Sequence, residues 1–232
     1  MSHRQYGCCF LLFAVVAVGW AMSARSALVC VMLGWLAVSC VGVAAAFFLH
    51  RPEWLMGKKH NGKVFLPCCV MNFPFLAIYW VTWFIRNVFI NRLLDREPVN
   101  AIAGTNVSVS CWPGLHVPLD RYDLVIDMTS EMPGYRIGGA KYVCLPNLDG
   151  VPLDRYALPV EIDRNTRILV HCAQGRGRSV LMACLILLKL GYAATADEAV
   201  QSLKRSRPTV TLSRYQMMQI DRLAKNIRND MV

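Results

Sequence analysis

Apolar residues follow two different rhythms along this chain, and the change comes near Pro98. Before it, three runs carry no charged side chain: residues 7–24, 26–49 and 64–85. An uncharged apolar run of about 18 or more reads as a membrane-spanning candidate. After Pro98 the apolar stretches shorten and polar residues interleave. Residues 101–111, 123–129 (DLVIDMT), 141–146 (KYVCLP) and 167–172 (RILVHC) predict strands from their length and β-branched content. Residues 178–190 predict an apolar helix, and Gly191 suits the left-handed position that ends one. Thr195 with Glu198 makes a capping box for a helix to about residue 206, and residues 213–229 predict a last amphipathic helix. Strands alternating with helices give one α/β domain over residues 98–232, behind an N-terminal membrane region over residues 1–97.

Within that region the first run resembles a secretory signal: Arg4, an apolar stretch, then small residues near 21–27. Only a few polar residues separate it from the second run, so a helical hairpin over residues 7–24 and 26–49 is the simpler expectation. The second run would extend about 36 Å, enough to cross with tilt, and its Gly34 and Gly42 would let helices approach closely. Residues 50–63 then hold Arg51, Lys58, Lys59 and Lys63 against Glu53 alone, which predicts a cytoplasmic loop. The third stretch, to about residue 90, carries Pro67, Pro74 and many aromatics, a texture that fits a re-entrant or interfacial segment better than a full crossing.

Composition agrees. Hydrophobic residues are 55% and charged residues 17% of the 232, against roughly 45–50% and about 25% in soluble domains. Disorder, collagen repeats and coiled coil are excluded. The net charge is +10, and its excess is densest beside the apolar runs, which suits anionic lipids. No basic stripe interleaved with aromatics supports nucleic-acid binding. The ten cysteines include no CxxC pair and read as reduced, small apolar residues, Cys144 and Cys184 as packing. His50, His60 and His116 show no metal-ligand spacing, so neither metal nor cofactor is expected.

The informative run is His171-Cys172-Ala173-Gln174-Gly175-Arg176-Gly177-Arg178-Ser179, between a buried-type strand and a helix. A glycine-containing loop there would aim backbone N–H groups and the helix N-terminus at one point, an anion site suited to phosphate. Those donors, with Arg176 and Arg178, favour a nucleophilic thiolate at Cys172. Arg178 would bring its planar fork back over the loop to clamp two phosphate oxygens. A bare Cys-x5-Arg arises by chance in a chain with ten cysteines; His before it, Gly three residues on and Ser after Arg178 remove that explanation.

These residues resemble the signature HCxxGxxR(S/T) of the dual-specificity branch of the cysteine-dependent protein tyrosine phosphatases, and the likeness covers most of residues 98–232. Residues 101–111 look like the family's opening hairpin, 125–130 like its next strand, and 142–149 (YVCLPNLD) like the strand and loop bearing its aspartic acid. Arg207-Pro208, Leu212 and Gln216 resemble its closing helical segment, and the preceding apolar segments are similar to those of membrane-anchored bacterial members. The resemblance implies a small central sheet flanked by helices and a phosphocysteine on Cys172. It implies phosphate binding by Arg178 and the loop 173–177, Ser179 assisting thiolate departure, His171 holding the loop, and an Asp protonating the leaving oxygen. This chain departs from the pattern at Gln174, at Arg176, which resembles lipid-phosphate-directed members, and in the 23 residues from Asp149 to Cys172, which leave room for only a clipped helix.

Four acids precede Cys172: Asp149, Asp154, Glu161 and Asp163. The last two fall at the start of the strand that ends at Cys172, far from the loop. Asp149 comes after its strand at the edge where ligands gather, with Asp154 as runner-up, and Asp149 before Gly150 also reads as a plain turn residue. The expectation is a metal-independent, membrane-bound phosphomonoesterase with a cytoplasmic catalytic domain, acting on a phosphorylated protein. The alternatives are a phospholipid phosphatase (for phosphoinositide or phosphatidylglycerophosphate-like substrates) and a non-catalytic phosphate-binding membrane module. A rhodanese or arsenate reductase also carries Cys-x5-Arg, but His171, Ser179 and the upstream acidic loop disfavour both. Oligomeric state is not legible.

Overall fold

The computed structural model describes residues 3–90, 98–113, 117–134, 138–151, 153 and 161–229. It divides into two compact units. The first comprises Met1–Ile90 with Ser130–Gly134 and Pro146–Val151; the second comprises the remainder.

In the first unit α1 (His3–Ser23) and α2 (Ala27–Phe48) form a hairpin. A Cβ at Gly7 would meet the Phe48 ring at 2.7 Å, and Tyr6 stacks on Phe47 with ring centroids 5.1 Å apart. The start of one helix therefore lies against the end of the other. The seam on α1 is Gly7, Ala14 and Ala17, small residues spaced to share a face. Gly34, expected to allow close approach, faces open space because the seam runs elsewhere on α2; Gly42 does approach Met71 and Asn72.

The third apolar stretch is broken. After the short α3 (Glu53–Met56), α4 (Leu66–Met71) and α5 (Phe73–Phe84) meet at Asn72, and a π-helical turn, Ile85–Ile90, comes next. Pro74 sits in the first turn of α5, where a missing N–H costs nothing, and cannot continue α4. Asn72 is fully buried and its Nδ2 donates to the Trp54 and Leu55 carbonyls at 2.8 and 3.0 Å. Trp35 Nε1 donates to the Val70 and Met71 carbonyls, both at 3.2 Å, satisfying the end of α4.

Two segments distant in sequence belong to this same unit. Glu131 is buried: its Oε1 accepts from Tyr79 OH at 3.1 Å, its backbone carbonyl from Trp80 Nε1 at 2.8 Å, and its Oε2 from the Ser130 N–H and hydroxyl. Leu148 and Val151 join Val43, Phe47, Leu55, Met56 and Leu76 in one apolar cluster.

The second unit holds, but for the last two residues of β4, a five-stranded mixed sheet in the order β1-β2-β5-β3-β4. Its strands are β1 (Val99–Ala101), β2 (Val107–Ser110), β3 (Leu124–Thr129), β4 (Lys141–Asn147) and β5 (Ile168–His171). The stretch 101–111, one strand by its pattern and a hairpin by its resemblance, holds the turn and second arm of a hairpin. Gly104 takes φ +75°, and β1 runs antiparallel to β2 with Ala101 opposite Ser108. β5 lies parallel to both β2 and β3. Alternate side chains face opposite ways: Ile168 and Val170 enter the main core with Ile126 and Met128, while Leu169 and Val125 enter a smaller one.

Behind β5, α6 (Arg178–Lys189) is buried at every residue through Leu188, as befits a helix that is apolar on all sides. It ends at Gly191, φ +66°, and Arg164 donates to the carbonyls of Leu190 and Gly191 at 2.7 and 2.9 Å. α7 (Ala196–Ser206) opens with Thr195 Oγ1 accepting from the Glu198 N–H at 3.2 Å. Glu198 reaches back one residue beyond the cap, to the Ala194 N–H, at 2.8 Å. α8 (Arg214–Asn229) is closed at its start by reciprocal bonds between Ser213 and Gln216.

Candidate active site

The parallel register sets Ser110, His171 and Asp127 side by side at the carboxyl ends of β2, β5 and β3. Chain leaving β5 there must turn sharply to enter α6, and residues 172–177 make that turn. Gly175 takes φ +67°, and a Cβ on it would lie 2.6 Å from backbone atoms of Ser110 and Cys111. Only glycine fits that position.

The turn wraps around one sulfur. Cys172 is 2% exposed, and its Sγ accepts the Gly175 N–H at 3.2 Å. The Ser179 hydroxyl, on the first turn of α6, lies 3.3 Å from the same sulfur. Arg178 begins that helix and is 6% exposed; its Nη1 donates to the Met128 carbonyl near the end of β3 at 3.2 Å, which fixes the plane of the fork. The first turn of a helix leaves N–H groups without intrahelical partners, and its dipole favours an anion there. The Cys172 sulfur, the Ser179 hydroxyl and the Gly175 N–H thus meet at the start of α6, the helix whose first residue is Arg178. Such a group can hold a tetrahedral oxyanion and attack its centre. Ala173 and Gly175 are buried; Gln174, Arg176 and Gly177 are half-buried.

Beneath the turn lies a polar layer that sequence reasoning missed. Asp127 is fully buried and accepts from the Thr129 N–H at 2.8 Å, the Thr129 hydroxyl at 2.7 Å and the Tyr142 hydroxyl at 2.5 Å. His171 Nδ1 stands 3.8 Å from its carboxylate, beyond hydrogen-bond distance. An acid inside an otherwise apolar strand, with Thr two residues on, was the available signal. Arg207 was missed too, as anything beyond a family likeness. Its Nε donates to the Gly175 carbonyl at 2.8 Å, and its Nη1 to Asn100 Oδ1 and the Pro98 carbonyl, tying the turn to the β1 end.

Burial pushes the neighbouring Cys111 thiol up, against the pull of Arg207, and pushes Cys184 up to about 12. Both suit inert, neutral thiols. All ten cysteines are free. Among the described residues, no group of three or more His, Cys, Asp or Glu gathers as metal ligands would.

Of the candidate acids, Asp149 belongs to the first unit, is exposed, and lies two residues past the end of β4. Asp163 is engaged in the turn before β5, accepting from the Thr166 hydroxyl and the N–H groups of Asn165 and Thr166, which hold its carboxyl below the usual range. Asp154, His116 and the stretch expected to hold a clipped helix fall largely or wholly outside the described residues.

No protein-family model matches the chain, and no curated protein matches it. Solved structures do match. Human DUSP28 shares 17% identity at a TM-score of 0.47, over 57% of this chain and 96% of its own. PTPMT1, in complex with PI(5)P, shares 18% at 0.47, over 59% and 100%. A mouse putative dual-specificity phosphatase complexed with zinc tungstate shares 18% at 0.46, over 58% and 91%. The similarity is one of fold.

Proposed function

We propose that the chain is a membrane-anchored phosphomonoesterase that works through a cysteinyl-phosphate intermediate without a metal, of the protein tyrosine and dual-specificity type. The observation that carries this reading is the sulfur of Cys172, held by the Gly175 N–H and beside the Ser179 hydroxyl at the start of α6. In the first step the Cys172 sulfur attacks phosphorus, the S–P bond forms and the P–O bond to the leaving group breaks. Asp149 gives its proton to the departing oxygen, while Arg178 and the N–H groups of residues 173–178 bind the phosphoryl oxygens. Water then attacks phosphorus, Asp149 takes its proton back, and phosphate leaves as the sulfur recovers its electron pair. Ser179 stabilises that thiolate, and His171 holds the base of the turn.

The anchor in this reading is α1 with α2, helices of 21 and 22 residues that are long and apolar enough to cross a bilayer. Their side chains are exposed where a soluble core helix would hide them, Met22 at 85% and Leu28 at 71%. The basic stretch after α2 orients the hairpin with both ends, and the catalytic domain, in the cytoplasm. A phospholipid substrate is the second reading, favoured by Arg176 within the phosphate-binding turn and by the anchor itself. A silent phosphate binder would need no thiol.

Cys172→Ser in the full chain tests the proposal. Aryl phosphate hydrolysis should vanish while tungstate or vanadate still binds, because the donors and Arg178 survive and the nucleophile does not. The wild type should be indifferent to EDTA. Turnover by Cys172→Ser, or a metal requirement, overturns the mechanism.

A further inference from the structure

We infer that Tyr6, on the first turns of α1, is a positioning residue for the acid loop, so that the membrane hairpin takes part in proton transfer and is not only an anchor. The inference rests on the reading of Asp149 as the general acid. Its own grounds lie within the first unit. Tyr6 OH donates to Asp149 Oδ2 at 3.4 Å across 143 residues of sequence. The same ring stacks on Phe47 of α2, at 5.1 Å and 21° between planes, so its reach is fixed by the hairpin.

Asp149 also sits between two apolar anchors. Leu148 before it is 1% exposed and Val151 after it 8%, and both lie in the cluster with Val43 and Phe47 of α2, Leu55 and Met56 of α3, and Leu76 of α5. The turn is closed by the Val151 N–H on the Leu148 carbonyl at 3.2 Å, with Gly150 at φ +75°. Two buried side chains flanking one exposed carboxylate leave it little freedom except rotation of its own side chain. The Tyr6 hydroxyl restricts that rotation. A loop carrying a mere surface turn has no need of two side chains seated among hydrophobic helices.

The test compares Tyr6→Phe, Leu148→Ala and Asp149→Asn in the full chain, in lipid vesicles, on phenyl phosphate and on dinitrophenyl phosphate. The first leaving group needs a proton and the second does not. Tyr6→Phe keeps the stacking and removes only the hydroxyl, so it should lower kcat/KM on phenyl phosphate about three- to tenfold and leave that on dinitrophenyl phosphate within about twofold. Leu148→Ala should show the same selectivity. Asp149→Asn should lose about 10²–10⁴-fold in kcat/KM on phenyl phosphate alone, because kcat/KM ends at phosphocysteine formation and omits the water step that Asp149 also serves, with no further loss when Tyr6→Phe is added. If Asp149→Asn is selective but Tyr6→Phe is wild type on both substrates, or falls equally on both, the positioning role is overturned and the acid assignment stands. If Asp149→Asn matches wild type on phenyl phosphate, the acid assignment fails and the role of Tyr6 with it.

Discussion

A methyl group added at position 175 has nowhere to go. Backbone atoms of Ser110 and Cys111 would lie 2.6 Å from it, and φ of +67° already belongs to the region that side chains avoid. Neighbouring backbone is the obstacle, so no rotamer change relieves it. Gly175→Ala should therefore destabilise the fold by about 1–3 kcal/mol, read as a lowered Tm, and should cost activity beyond that. The N–H that reaches the Cys172 sulfur belongs to this residue, and the carbonyl that receives Arg207 belongs to it as well. Moving the turn to admit a methyl misaims both. A variant with wild-type Tm and turnover would mean that the turn is not held as described.

In the proposed function the turn from β5 into α6 binds the phosphoryl group, and Arg176 is the residue there that bears on substrate class. If Arg176 recognises headgroup charge, Arg176→Ala should slow hydrolysis of an anionic phospholipid in vesicles far more than that of a small aryl phosphate. The difference should be on the order of 1.5–3 kcal/mol in kcat/KM, the worth of a charge-assisted contact. Equal loss on both returns Arg176 to a solvated charge and leaves the phosphoprotein reading in place. This element was legible in the sequence because its pattern is local: His171 through Ser179 are nine consecutive residues between an apolar strand and an apolar helix. The core strands were legible for a similar reason, since DLVIDMT and RILVHC announce burial by composition, and the Thr195 cap by its spacing to Glu198. The hairpin turn at residues 102–106 was not legible from periodicity, because the alternating VSVS after it extends the apparent strand backward, and only the family likeness pointed to it. Nor was the company kept by Leu148 and Val151. Two apolar residues in a loop look alike whether they cap their own sheet or join helices a hundred residues earlier, and no periodicity encodes that choice.

For the chain as a whole, the proposed anchor and phosphate-binding turn raise the question of which side of a membrane the turn faces. A hairpin of two crossings returns the chain to the side it left. On that proposal, the third apolar stretch decides where the proposed catalytic domain lies. It is split at Asn72: α4 has 6 residues, and α5 with the π-helical turn that continues it has 18, rising at most about 27 Å, a little short of the roughly 30 Å of hydrocarbon. Arg51, Lys58, Lys59 and Lys63 before it, with Arg86, Arg92 and Arg96 after it, bracket the stretch with the charge that stays cytoplasmic. A nucleophilic thiolate also lasts longest in a reducing compartment. On the proposed reading, helix length, flanking charge and thiol chemistry favour the cytoplasmic side. Intact cells expressing the full chain, given a charged aryl phosphate that does not cross the bilayer, should therefore hydrolyse it no faster than cells expressing Cys172→Ser. Permeabilising the same cells should reveal the activity. Equal rates before and after permeabilisation would mean that the broken stretch carries the chain across, and that the turn faces outward.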